Sequence, residues 1–179
     1  KKTNLKILPR LTDTASIKSA VLQYQKSLKA EFGDLIKEET DVLKQIPEDG
    51  SEKLTSAADL KKLAEDVPIV RIVDTLLKHA VLQSASDIHI EPMENQVLVR
   101  YRIDGLLRDA MVLPRHAAES ITARIKVLAQ LKLDEKRLPQ DGRFKVESES
   151  ERVAIRVSVL PTYFGEKTRV ALAAYQASV

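Results

Sequence analysis

No cysteine occurs in the 179 residues, which removes disulfides and thiolate metal sites and fits the cytosol. Tryptophan is also missing, and aromatic residues make up only 4% of the chain. A dedicated nucleic-acid binder concentrates basic charge on one face and interleaves it with stacking aromatics. Here 29 basic residues meet 26 acidic ones for a net charge of +3, a mixed balance that argues against that class. No apolar run approaches the ~20 residues needed to span a bilayer, and there is no signal-peptide pattern. The loop G-x-x-x-x-G-K-S/T, whose glycines bring backbone N–H groups onto phosphates, does not occur.

What is present suffices for one core, since 44% of the residues are hydrophobic. Beginning at Lys1 and ending at Val179, the chain reads as an excised part of a longer one. From Thr14, apolar residues Ile17, Val21, Tyr24, Leu28, Phe32 and Leu35 recur at helical steps, with Thr12, Asp13 and Thr14 as candidate caps. Residues 37–66 alternate acids with lysines around a Pro47-Glu48-Asp49-Gly50-Ser51 turn. This stretch is expected to be a charged linker with one short helix near 56–65.

A compact domain is expected over 67–172, with residues 1–36 a separate helical region and 173–179 a tail given no weight. Pro68 suits a first helical turn, and Ile69, Ile72, Val73, Leu76, Leu77 and Ala80 form an apolar stripe. Asp87-Ile88-His89-Ile90-Glu91 alternates with period two, as does Val97-Leu98-Val99-Arg100-Tyr101-Arg102-Ile103. Asp104-Gly105 predicts a hairpin into a strand over 106–112. A second helix follows Pro114, and a polar loop over 134–142 leads to strands near 144–147, 152–160 and 168–172. The layout is α+β, a mostly antiparallel sheet with helices on one face.

Within the strand over 152–160, Ala154, Arg156 and Ser158 share one face, so Arg156 emerges between two small residues. Arg143 follows Gly142 in what reads as a turn at the mouth of the same sheet. A guanidinium fixed in such a frame can hold phosphate oxygens bidentately. The plainer reading is an ion pair with Glu147 or Glu151. Arg102 is expected either near the same ligand or simply exposed on its strand. Asp87 and His89 suit a hydrogen-bonded structural role, and Asp141 a turn bonding its own backbone. His79, His89 and His116 lack the close spacing of a zinc site. Arg124, Lys126, Lys132, Lys136 and Arg137 form a basic stretch that faces either a neighbouring subunit or solvent.

Three segments carry more than periodicity. They are Ala85-Ser86-Asp87-Ile88-His89-Ile90-Glu91-Pro92 followed by Val99-Arg100-Tyr101-Arg102-Ile103-Asp104-Gly105; Arg124-Ile125-Lys126-Val127-Leu128-Ala129 with Arg137-Leu138-Pro139-Gln140-Asp141-Gly142-Arg143-Phe144; and Ile155-Arg156-Val157-Ser158-Val159-Leu160-Pro161-Thr162 with Gly165-Glu166-Lys167. In this order they resemble the second N-terminal domain of type II secretion and type IV pilus assembly ATPases, the GspE/PilB-type family. Residues 12–36 resemble more weakly the helical end of the preceding domain.

The resemblance implies a PAS-like fold and a following RecA-like ATPase domain that binds ATP and magnesium. It further implies a cytoplasmic homohexamer at the inner face of the membrane, whose upstream domain docks on a platform protein. Arg143 and Arg156 match the family's phosphate-reaching arginines, and the fragment alone is expected to hydrolyse no ATP. Two alternatives stay open: a PAS-like sensing or adaptor module, and a relative that drives pilus retraction or conjugation.

Overall fold

The computed structural model describes residues 13, 16–17, 57–147 and 152–174. The helix expected over 14–36 and most of the charged stretch lie outside these residues. Of the three candidate caps, Asp13 lies within the described residues, and its Oδ1 accepts the Ser16 N–H at 2.6 Å as an N-cap does.

Six strands form one sheet: β1 (Asp87–Pro92), β2 (Gln96–Ile103), β3 (Leu106–Pro114), β4 (Gln140–Glu147), β5 (Arg152–Thr162) and β6 (Gly165–Ala174). Their order is β3-β2-β1-β6-β5-β4. Every pairing is antiparallel, as the short turn-marked connections predict. Asp104 and Gly105 take φ of 51° and 79°, the paired positive angles of a tight hairpin between β2 and β3. The sheet is open, with β1 and β6 at its centre.

Among the described residues from 57 on, three helices accompany the sheet: α1 (Ala57–Ala64), α2 (Val67–Leu82) and α3 (Ala117–Leu128). All six residues of the expected α2 stripe are buried. They share one core with Ile88 and Ile90 of β1, Val97 and Val99 of β2, Val157 of β5, and Ile121 and Ile125 of α3. The helices therefore cover one face of the sheet. Tyr101 reaches through this core, and its hydroxyl donates to the Leu76 carbonyl at 3.0 Å. Burial pushes that phenol far above its ordinary range. The short helix expected near 56–65 within the charged stretch is α1, and its Leu60 and Ala64 are buried.

The expected polar loop is shorter than the sequence suggests. Gln140, Asp141 and Gly142 already belong to β4, so Arg143 stands within a strand rather than in a turn. Gly142 serves close packing here. A Cβ at this position would lie 2.8 Å from the Ala129 carbonyl oxygen and 2.8 Å from Leu131 Cδ2. The strand is thus pressed against the end of α3, where Gln130 at φ 57° stops the helix. As the first residue of β4, Gln140 fastens the loop that precedes it. Its side chain accepts from Lys132 N–H at 2.9 Å and donates to the Lys132 and Glu135 carbonyls at 3.0 and 2.9 Å.

Gly142→Ala should therefore destabilise the fold by about 1–3 kcal/mol, since the obstructing atom is backbone. Tyr101→Phe should cost about 1 kcal/mol through its lost hydrogen bond. Urea denaturation measures both, and an unchanged midpoint for Gly142→Ala would remove the close-packing role.

Candidate functional site

The sheet face away from the helices is polar, and its centre is organised by two carboxylates. Alternation along β1 turns Asp87, His89 and Glu91 to this face. Asp87 pairs in register with Arg102 of β2, and His89 with Arg100 of β2 and Arg169 of β6. Glu91 forms ion pairs with Arg100 at 2.6 Å and Lys167 at 2.8 Å. Asp87 pairs with Arg102 at 3.3 Å and Arg169 at 2.7 Å, and also accepts from Ser86 Oγ at 2.8 Å. Long cationic side chains from both neighbouring strands fold over β1, so Asp87 and His89 are buried on the face without helices.

Burial pushes both carboxyls up, and the cations more than offset it. Arg169 and Ser86 hold Asp87 below its ordinary 3.8, while Arg100 and Lys167 hold Glu91 below 4.5. For His89 burial acts in the other direction. It lowers the imidazole below 6.5, helped by the Lys167 charge and opposed by Asp87 and Glu91. Both ring nitrogens of His89 lack a hydrogen-bond partner among the described residues, and Glu91 lies 4.0 Å away.

Arg102, Asp87, Ala171, Arg156 and Arg143 lie in one cross-strand row over five strands. Arg143 and Arg156 are direct partners, their side chains exposed on the same face. Together with Asp141, Ser158, Arg169 and Ala171 they line an open depression. Arg102 stands three strands from Arg156, roughly 14 Å at the usual strand spacing. It is occupied by Asp87 and by the Gly105 carbonyl at 3.0 Å. The structure thus brings two of the three predicted arginines together and leaves Arg102 apart.

Neither Arg143 nor Arg156 forms an ion pair among the described residues. The side chains of Glu147 and Glu151, their expected alternative partners, lie outside those residues. Asp141 accepts a hydrogen bond from Ser158 Oγ at 2.5 Å across the strands, in place of the expected local turn. The residue missed by sequence reading is Arg169. Alternation along the final strand separates it from Thr168 and Val170, but only the β5–β6 register places it beside Ser158.

The basic stretch also divides differently from expectation. Lys126 is only 1% exposed, pairs with Glu166 at 2.7 Å and donates to the Glu135 carbonyl at 2.9 Å. It ties α3 to the start of β6 and is buried rather than facing a neighbour or solvent. Among the described residues, no group of three or more His, Asp or Glu is placed to hold a metal ion. No described helix is long and apolar enough to cross a membrane.

The titrations act in one direction. Below 6.5 the unfolded chain takes up a proton that folded His89 resists, so stability falls as pH drops from there towards the lower folded value. The contributions of Asp87 and Glu91 are complete above their ordinary values and are lost as pH falls through their lower folded ones. His89→Gln should flatten the loss just below 6.5 and keep the acid limb, as read from urea midpoints against pH. An unaltered profile would exclude His89 as its source.

Comparison with known proteins places the chain in a family. A family described as "Type II/IV secretion system protein" matches residues 62–178. The type IV pilus assembly ATPase PilB of Myxococcus xanthus is 37% identical over 153 residues, covering 85% of this chain and 26% of that protein. The type II secretion system protein E of Klebsiella pneumoniae is 37% identical over 166 residues, covering 89% and 32%. The PilB of Acinetobacter baylyi is 47% identical over 107 residues, covering 59% and 18%. The chain thus spans no more than about a third of the length of these relatives. On a match across well over half its residues, the chain belongs to the type II/IV secretion system protein family.

Proposed function

We propose that this region clamps nucleotide and contacts neighbouring subunits in a hexameric ATPase that powers type IV pilus assembly or type II secretion. Its Arg143–Arg156 pair would reach the phosphates of ATP held, with magnesium, mainly by a separate RecA-like domain. The observation carrying this reading is the direct cross-strand pairing of two exposed arginines that have no acidic partner among the described residues. Like charges directly opposite on a sheet destabilise it. A bound polyanion would convert that repulsion into attraction.

ATP supplies the phosphoryl group for transfer, and the residues here would hold and neutralise its oxygens. Both guanidiniums present planar donor forks matched to phosphate. Ser158 and Ala171, small neighbours in the depression, leave those forks room. Phosphate bound between this face and a second domain would favour the closed arrangement over the open one. That differential affinity is what lets hydrolysis drive domain movement. The same reading places the protein at the cytoplasmic side of the inner membrane, joined to a platform protein through its upstream region.

In the full-length protein, Arg143→Ala and Arg156→Ala should each lower the kcat/KM for ATP roughly 10- to 100-fold, the worth of one charge-assisted hydrogen bond. Steady-state phosphate release measures this. Turnover equal to wild type in both variants would sink the clamp.

A further inference from the structure

The third arginine of the depression is already engaged. Arg169 lies diagonally from Arg156, because Arg156 pairs with Ala171 and Ser158 with Arg169. Diagonal neighbours on one sheet face stand about 7–8 Å apart, within reach of arginine side chains. Its guanidinium spends two nitrogens on one carboxylate oxygen, Nε at 2.8 Å and Nη2 at 2.7 Å from Asp87 Oδ1. Even so, the Arg169 side chain is 54% exposed, against 6% for Asp87. The other oxygen, Oδ2, has its own partners in Ser86 Oγ and Arg102 Nε. Asp87 would therefore keep a hydrogen bond and a countercharge if Arg169 turned away.

We propose that Arg169 is a third phosphate ligand, stored on Asp87 and drawn into the depression only by a di- or triphosphate chain. This rests on the clamp reading and assigns the clamp its selectivity. A single phosphate is satisfied by Arg143 and Arg156, and it offers too little charge to pull Arg169 from a carboxylate it contacts twice. A longer polyphosphate extends along the diagonal towards β6 and carries more charge, so the exchange becomes favourable. Asp141, the carboxylate that lines the depression, is bonded to Ser158 and shares a cross-strand row with Ser158 and Arg169, two strands from Arg169. It weakens anion binding in general, while the ion pair of Arg169 is with Asp87.

The test is an NMR titration of the 179-residue chain with inorganic tripolyphosphate and with orthophosphate at matched ionic strength, following arginine Nε–Hε resonances. Tripolyphosphate should shift the Arg143, Arg156 and Arg169 signals, and orthophosphate only the first two. Arg169→Gln should lower tripolyphosphate affinity about tenfold, the worth of one charge-assisted contact, while orthophosphate affinity is unchanged. Arg169→Lys should recover part of the loss. A merely structural role for Arg169 would weaken both anions alike and lower the urea midpoint. That result, or an Arg169 signal indifferent to tripolyphosphate, overturns the proposal. Neither touches the clamp itself, which stands or falls on ATP turnover in the Arg143 and Arg156 variants.

Discussion

Two carboxylates on the central strand organise the open face of this sheet. Asp87 and Glu91 project from β1 into a field of arginines and lysine from β2 and β6, and each neutralises two of them. Without these acids, Arg100, Arg102, Lys167 and Arg169 would crowd against one another across adjacent strands. With them, the cations lie flat over β1 and shield it from water. The same neutralisation ends at β6. Further out, on β5 and β4, Arg156 and Arg143 have no such acid among the described residues. The face thus divides into a compensated centre and an uncompensated edge, and the edge is where an anion gains most.

Backbone packing sets where that edge stands. Gly142 lets β4 approach the end of α3, with Ala129 and Leu131 filling the space a side chain would take. The strand that results holds Arg143 in register with Arg156. A larger residue at this point would push the outer strand away and alter the arginine spacing, so a stability defect and a binding defect share one cause. Lys126 and Glu166 secure the other side of the same region, joining α3 to the start of β6. A buried pair of this kind gives little net stability, and its value lies in fixing the arrangement of the elements it joins.

The sequence announced some of this and concealed the rest. Helical spacing in α2 and the Asp104-Gly105 turn were legible because each is a local signal, and the structure places both as expected. Alternation on β5 correctly separated Arg156 from its buried neighbours Ile155 and Val157. Gly142 misled: next to Asp141 it imitates a turn, whereas its need is for contact with α3, which no local pattern encodes. Arg169 and Lys126 were opaque for a related reason. Whether a charged residue is free, paired or buried depends on strand order and register. The β1–β6 pairing joins segments about 80 residues apart, as in the Arg169–Asp87 contact at |i−j| = 82.

The most direct test of the account is a structure of the full-length protein with a non-hydrolysable ATP analogue. The account predicts phosphate oxygens within about 3 Å of the Arg143 and Arg156 guanidiniums, ordinary charge-assisted hydrogen-bond distance. Arg100 and Arg102 should remain on Glu91 and Asp87. Phosphates bound with Arg143 and Arg156 turned to solvent, or held instead by Arg100 and Arg102, would contradict it.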